Sequence, residues 1–170
     1  MKNEFRLATN DDADNLLNLT LQAYKPIREL GIPFLAATAD LALVKKNISQ
    51  NLCYVYEEDK RIAATVSIRM PWGEHPDPFA VPHLWWFAVD PSFARKGVGS
   101  KLLHLVEEEI IKNMFKSPGV SLGTAKEHPW LVEMYERKGY VQDKEKHLAE
   151  GYTTVFLYKK FNKVHFCRKR

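Results

Sequence analysis

Residues 84–114 constrain the fold more than any other part of this 170-residue chain. An apolar strand over 84–89 ends at Asp90 and Pro91, and a short basic loop with two glycines follows it. The side chains that follow the loop are apolar at every fourth position, at Val98, Leu102, Val106, Ile110 and Met114. That spacing places them on one face of an amphipathic helix. The sequence therefore predicts a strand, a loop and a long helix in direct succession.

The predicted loop has the properties of a phosphate-binding turn. It stands at a helix N-terminus, where backbone N–H groups lack intrahelical acceptors and the helix dipole favours an anion. Gly97 and Gly99 carry no side chain, so phosphate oxygens can approach the backbone closely. Arg95, Lys96 and Lys101 add positive charge around the same point. We therefore expect the loop to bind a phosphate-containing ligand.

Two common phosphate-binding motifs do not fit this loop. A dinucleotide-binding fingerprint requires a glycine where Leu102 stands, and a P-loop requires a Gly-Lys-Ser/Thr order that residues 99–101 lack. The loop resembles the acyl-CoA loop of the GCN5-related N-acetyltransferase (GNAT) family, Arg/Gln-x-x-Gly-x-Gly/Ala. Gly97 and Gly99 fill its glycine positions, whereas Ala94 occupies the Arg/Gln position and departs from the pattern.

A second signature of the same family follows at residues 134–140. The run Met-Tyr-Glu-Arg-Lys-Gly-Tyr is similar to the family pattern Leu-Tyr-x-x-x-Gly-Phe, whose tyrosine commonly protonates the departing thiolate. The resemblance implies this role for Tyr135, although the helical pattern taken alone favours a core aromatic. His128 and Leu131 stand where the family usually has asparagine and alanine.

The resemblance implies an α/β chain with the GNAT-like acyl-CoA N-acyltransferase fold. The alternation of elements predicts a mixed, mostly antiparallel central sheet with helices on both faces. Strands are predicted at 4–8, 52–56, 62–70, 84–89, 120–123, from Tyr140 onward and at 153–158. Helices are predicted at 10–24 with an interruption at Pro26, at 40–48, at 98–114 and from Pro129 to Gly139.

Residues 1–160 are interpreted as a single N-acetyltransferase domain and residues 161–170 as a basic C-terminal tail. Residues 159–170 carry six Lys/Arg and no acid, and the rest of the chain has 19 basic against 21 acidic residues. The net charge of +4 therefore arises at this end. A nucleic-acid-binding protein needs a basic face interleaved with aromatics on a folded platform, so the pattern argues against a nucleic-acid partner.

The composition also limits where we expect the protein to be located and whether we expect disulfides or a metal site. The longest apolar stretches have the length of a strand and no signal-peptide core follows Met1, so we expect a cytoplasmic protein with no membrane partner. Cys53 and Cys167 form no CxxC pair, and the six histidines show no metal-ligand spacing. We expect free thiols and no metal site.

The function implied by the resemblance is transfer of the acetyl group of acetyl-CoA to a primary amine, by direct attack in a ternary complex. The alternative is a catalytically silent acyl-CoA-binding or regulatory relative. The implied catalytic residues are Tyr135 as the acid and His83, at the start of the fourth strand, as a candidate base. Glu74 and Asp77 are further base candidates, so that assignment stays open.

The resemblance also implies which residues contact acetyl-CoA and the acceptor. A backbone N–H within 86–88 is expected to face the thioester oxygen. The implied cofactor contacts are Phe87, Ala88, Val89, Arg95, Lys96, Gly97, Val98, Gly99 and Ser100. The amine acceptor is expected between 24–34 and the loop 71–82. Peptide termini, lysine side chains, polyamines, amino acids and aminoglycosides stay open as acceptors, as does a homodimer.

Overall fold

The computed structural model describes residues 3–73, 79–147 and 151–161. The base candidates Glu74 and Asp77 lie outside the described residues, as does the predicted tail beyond Phe161. Within the described ranges, seven strands form one sheet in the order β1-β2-β3-β4-β5-β7-β6. They are β1 Asn3–Leu7, β2 Leu52–Glu58, β3 Arg61–Arg69, β4 His83–Val89, β5 Gly119–Ala125, β6 Val141–His147 and β7 Thr153–Lys160.

The sheet is mostly antiparallel, and β4 with β5 is its parallel pair. In the described part of the chain, five α-helices flank it: α1 Ala13–Ala23, α2 Lys25–Glu29, α3 Leu41–Gln50, α4 Val98–Leu105 and α5 Leu131–Glu136. The described residues therefore confirm the mixed, mostly antiparallel sheet that the sequence predicts.

The side chains of β2 alternate between two cores, one on each face of the sheet. Tyr54 and Tyr56 pack in the core that holds α4, whereas Cys53 and Val55 pack in the core that holds α1 and α3. Tyr56 and Val55 are almost fully buried. A strand that is buried on both faces fixes its register tightly, because a slip of one residue exchanges the two sets of side chains.

The long helix differs from the predicted one in its second half. After α4 the chain continues as a π-helix over Val106–Met114, where Phe115 N–H donates to the carbonyl of Ile110 at 2.9 Å. The five-residue spacing of these bonds changes which side chains face the sheet. Val106 and Ile110 stay buried, but Met114 is 63% exposed, so its predicted place on the apolar face is wrong.

Helix boundaries around two prolines also differ from the predicted ones. Pro26 lies in the first turn of the short helix α2, where its missing N–H would have no helical acceptor, and α2 is separate from α1. Pro129 precedes α5, which begins at Leu131. Gly139 has a φ of +89°, as expected for the glycine that follows a helix.

The C-terminal end of the described chain is part of the core. Phe161 is buried, and its N–H donates to the carbonyl of Pro118 at 2.9 Å. Nearby, the buried Glu107 accepts a hydrogen bond from Tyr140 at 2.6 Å and pairs with Lys159. These contacts tie the π-helix to β7.

Candidate active site

The parallel pair β4–β5 opens into a cleft. Its ladder comprises two residue pairs, His83 with Ser121 and Leu84 with Leu122. Beyond Leu84 the two strands part, and a cavity of about 500 Å³ lies where they separate. One wall includes Tyr24, Ile27, Phe34, Arg69, Trp85 and Phe87, and the other includes Leu122, His128, Trp130, Leu131, Tyr135, Tyr152 and Phe156.

A β-bulge in the middle of β4 shapes the first wall. Trp86 has a φ of +56°, and the pairing of β4 with β3 shifts register between Thr65 and Ser67. A bulge leaves one residue out of the ladder and increases the local twist. The indole N–H of Trp86 donates to Thr20 Oγ1 at 3.0 Å, which holds the bulged backbone against α1.

Phe87, the residue after the bulge, turns its backbone toward the cleft. Its carbonyl oxygen accepts a hydrogen bond from the Tyr24 hydroxyl at 3.0 Å. In an extended strand the N–H and C=O of one residue lie on the same side. The N–H of Phe87 therefore also faces the cleft.

Tyr24 and Tyr135 approach the cleft from different helices. Tyr135, on α5, is buried, and its ring packs edge-on against Tyr140 with centroids 5.7 Å apart. Burial raises the pKa of Tyr135 above its ordinary value. Burial, and then the nearby Tyr135 phenol, raise the pKa of Tyr24 likewise. Both phenols therefore keep their protons at neutral pH. The sequence assigned no chemical role to Tyr24, since only the fold brings it to Phe87.

The basic loop adopts the conformation expected at a helix N-terminus. Gly97 directly precedes α4 with a φ of +76°, and Arg95 has a φ of +62°. Lys101 N–H donates to the Gly97 carbonyl at 3.0 Å and makes the first helical bond. The N–H groups of residues 98–100 precede that bond and are free of intrahelical acceptors, as at any helix start.

The two glycines of the loop are needed for different reasons. A Cβ on Gly99 would lie 2.9 Å from Val89 Cγ2 and 3.4 Å from Phe87 Cζ. Gly99 therefore allows α4 to pack directly on β4. A Cβ on Gly97 would meet no atom within 4 Å, but the left-handed φ favours glycine there.

Cations surround the loop, and one of them was not predicted. Lys96 Nζ lies 5.0 Å from the ring centroid of Phe93. Lys138 Nζ donates to Ser100 Oγ at 2.7 Å and brings a positive charge from the end of α5. The sequence pattern gave no sign of this contact, because residue 138 is distant from the loop along the chain.

His83, the candidate base, lies at the closed end of the cleft. Its Nδ1 is 2.9 Å from Ser121 Oγ across the β4–β5 pair, and its ring lies 6.3 Å from that of Phe156. His83 lies four positions before Phe87, which is at most about 13 Å along a strand. A proton transfer from an amine near Phe87 to His83 therefore needs bridging water.

Two further polar side chains line the cleft. His128 is 6% exposed, its ring packs edge-on against Trp130, and its buried Nδ1 has no hydrogen-bond partner among the described residues. Burial lowers the pKa of His128, so the ring is neutral at pH 7. Arg69, at the end of β3, places its guanidinium 3.4 Å from the ring centroid of Trp85.

The predicted acceptor region is only partly at the cleft. Tyr24, Pro26, Ile27 and Phe34 line it, whereas the described residues of the loop 71–82 do not. The parts of the chain that the structure describes contain no cluster of three metal-type ligands. None of the helices in those parts is long and apolar enough to cross a bilayer.

Comparison with known proteins identifies the family. The sequence pattern of the acetyltransferase (GNAT) family matches residues 17–140. The chain belongs to the GNAT family. S-(2-succino)cysteine N-acetyltransferase of Bacillus subtilis (strain 168) is 60% identical over 159 residues, 94% of this chain and 96% of the relative. S-alkylcysteine N-acetyltransferase of the same organism is 40% identical over 163 residues, 93% and 92% of the two chains. Like these relatives, this GNAT protein is an acyltransferase.

Solved GNAT structures share the fold at low sequence identity. Ribosomal-protein-S18-alanine N-acetyltransferase from Escherichia coli superposes with a TM-score of 0.71 at 15% identity, over 98% of each chain. PaiA N-acetyltransferase from Thermoplasma acidophilum, in complex with coenzyme A, superposes with a TM-score of 0.68 at 14% identity, over 95% of this chain and all of the other. The predicted GNAT fold is thereby confirmed.

Proposed function

We propose that this GNAT enzyme transfers the acetyl group of acetyl-CoA to the α-amine of an S-substituted cysteine, by direct attack in a ternary complex. The choice of acceptor is supported by the 60% identity, over 94% of this chain, to a relative named for S-(2-succino)cysteine. A second relative is named for S-alkylcysteine. The α-amine is the one amine that such compounds contain.

The loop before α4 is the proposed site for the phosphates of acetyl-CoA. The free N–H groups of residues 98–100 and the nearby cations Arg95, Lys96 and Lys138 suit an anion at this helix N-terminus. The strand residues Phe87, Ala88 and Val89 line the cleft that starts beside this loop. An extended thioester arm would thus run from the loop into the cleft, along β4.

The cleft supplies two groups that acyl transfer needs. The N–H of Phe87 is the proposed donor to the thioester oxygen, where negative charge develops as the amine attacks. Tyr135 is the proposed hydrogen-bond donor to the departing thiolate. Because burial raises the pKa of Tyr135 well above that of a thiol, about 8.5, full proton transfer is uphill. The phenol therefore acts chiefly by its hydrogen bond.

The amine must lose a proton around the time of attack, since its ordinary pKa lies near 8–10. His83 stays the proposed base, and it acts through water along the cleft. The lining contains no Asp or Glu among the described residues. The two histidines, His83 and His128, are thus the side chains in the described lining that can accept a proton near neutral pH.

Thiol release from acetyl-CoA, measured against a panel of amines, tests this function. S-(2-succino)cysteine and S-ethylcysteine should be turned over at least 100-fold more efficiently, by kcat/KM, than lysine, spermidine or an alanyl peptide. Mass spectrometry should locate the acetyl group on the α-nitrogen, and Nα-acetyl-S-ethylcysteine serves as the blocked control. Preference for a peptide or polyamine would contradict the acceptor, and binding of acetyl-CoA without turnover of any amine would indicate the silent relative.

A further inference from the structure

The charged side chains in the described lining of the cleft are of one sign, positive. Arg69 is the one Arg or Lys in its described lining, and that lining includes no carboxylate. The guanidinium lies over the face of Trp85, 3.4 Å from its ring centroid, and the side chain is half-buried. Burial lowers the pKa of Arg69 to about 10, so the group is still charged at neutral pH.

This cation has no acidic partner among the described residues. The ion pairs within residues 3–73, 79–147 and 151–161 use other arginines and lysines. Removing a charge from water without a partner is costly, and a carboxylate that arrives with a ligand offsets that cost. A planar guanidinium also matches a carboxylate with two parallel hydrogen bonds.

The platform under Arg69 is rigid. Trp85 Nε1 donates to Asn47 Oδ1 at 3.1 Å, and Asn47 Nδ2 donates to Ser67 Oγ at 2.8 Å inside the core. The same Asn47 oxygen accepts from Asn51 Nδ2 at 2.9 Å. The indole is therefore held from α3 and β3, and it fixes the plane on which the guanidinium rests.

The position of Arg69 decides which carboxylate it can reach. Trp85 lies two residues from Phe87 along β4, roughly 7 Å away. An α-carboxylate is attached to the same carbon as the reacting amine, so it stays beside Phe87. A carboxylate on the sulfur substituent lies several bonds further from the amine and can extend toward Trp85, over which the Arg69 guanidinium lies. Beyond Arg69 a second cavity of about 610 Å³ opens, which Arg69 and Leu35 share with the cleft and which Lys46 also lines.

We propose that Arg69 binds a carboxylate on the sulfur substituent of the acceptor and so selects acidic S-substituted cysteines over neutral S-alkylcysteines. This inference rests on the proposed function and adds its specificity-determining residue. The guanidinium binds the distal carboxylate, and the apolar walls of the cleft hold the thioether. The amine is thereby placed toward Phe87.

Steady-state kinetics with two acceptors, two variants of Arg69 and one control variant test the proposal. Arg69→Met should lower kcat/KM for S-(2-succino)cysteine by about 10- to 150-fold, the range for a lost hydrogen bond to a charged group. The value for S-ethylcysteine should change less than threefold, and the KM for acetyl-CoA should not change. Arg69→Lys should recover part of the loss, because it restores the charge without the planar fork. Lys112→Met, which removes a cation on the π-helix, is the matched control.

The outcomes separate this inference from the proposed function. An equal loss with both acceptors would place Arg69 at the α-carboxylate or in the fold, and no loss with either would remove it from the site; both overturn the inference. Thermal unfolding and acetyl-CoA affinity of each variant report whether the fold is intact. A wild-type enzyme that acetylates both acceptors equally well also overturns the role of Arg69 but leaves the proposed function standing. If the wild type acetylates neither, the proposed function itself fails.

Discussion

The Tyr24 hydroxyl donates a hydrogen bond to the carbonyl oxygen of Phe87 across 3.0 Å. This bond joins the end of α1 to the bulged strand at the point where the N–H of Phe87 faces the cleft. Tyr24 is half-buried in the cleft, and its hydrogen bond to the Phe87 carbonyl restrains the orientation of that part of the backbone. We infer that it positions the proposed oxyanion donor.

Tyr24→Phe removes this hydrogen bond and keeps the ring. A net hydrogen bond contributes about 0.5–1.5 kcal/mol, so we expect kcat to fall roughly 2- to 10-fold. The KM for acetyl-CoA should stay close to the wild-type value. Steady-state kinetics check this prediction, and circular dichroism of the folded variant is the control. A wild-type kcat would mean that the bulge alone holds the backbone of Phe87.

Tyr135→Phe removes the proposed hydrogen bond to the departing thiolate. We expect kcat to fall by more than tenfold with little change in acetyl-CoA affinity, because a hydrogen bond to a charged group contributes about 1.5–3 kcal/mol. Equal losses in affinity and stability would instead identify Tyr135 as a core residue.

The pH profile of the wild type gives a second readout of Tyr135. Because burial raises the pKa of Tyr135 above its ordinary value near 10, the phenol keeps its proton through the neutral and mildly alkaline range. Between pH 8 and pH 9.5, any fall in kcat should therefore be the same in the wild type and in Tyr135→Phe. A fall that is present in the wild type and missing in the variant would contradict the raised pKa. The raised pKa also means that the stability from this group is present below pH 10 and is lost as pH rises above it.

Gly99→Ala should destabilise the protein because its Cβ meets Val89 Cγ2 at 2.9 Å. Overpacking of this kind costs about 1–3 kcal/mol in free energy of unfolding. Val89→Ala in the same chain should restore part of it by making room. Urea denaturation of the two single variants and the double variant measures the coupling, and strictly additive effects would contradict the contact.

His128→Asn should reduce the acid sensitivity of the fold. Burial lowers the pKa of His128 below its ordinary value of about 6.5, so the unfolded chain binds the proton more tightly. The stability from the neutral ring is present above pH 6.5 and is lost as pH falls below it. Thermal unfolding at pH 7.5 and pH 5 should therefore show a smaller difference in the variant than in the wild type. An identical difference would show that other groups cause the acid sensitivity.

The sequence alone predicted the parts of the site that are local in the chain. The strand, basic loop and helix around Gly97 and Gly99 follow from periodicity and turn chemistry within about 30 residues. The boundaries of the strands came within a few residues for the same reason. The prediction for Met114 was wrong because it assumed regular α-helical spacing. The change to π-helical spacing depends on how the helix packs against the sheet, and a local sequence pattern does not show it.

The parts that the sequence could not predict depend on distant contacts. Tyr24 and Phe87 meet only because α1 packs on β4, and Arg69 meets Trp85 through the register of β3 and β4. The bulge at Trp86 carries no glycine that would mark it. A side chain that acquires its partner from another strand or helix leaves no spacing signal in a single sequence.

The two groups that we propose act on the thioester lie in different halves of the sheet. Phe87 lies in the half formed by β1 to β4, and Tyr135 lies on α5, which packs against β5 and β6 in the other half. The halves meet through the short parallel pair, where His83 Nδ1 and Ser121 Oγ lie 2.9 Å apart. The distance between the proposed oxyanion donor, the N–H of Phe87, and the proposed donor to the thiolate, Tyr135, therefore depends on how the halves are joined, at this junction and through the core that α4 and the π-helix share with both halves. We therefore expect a substitution of Ser121 to change this distance while leaving each half intact, whereas a substitution of His83 would also remove the proposed base.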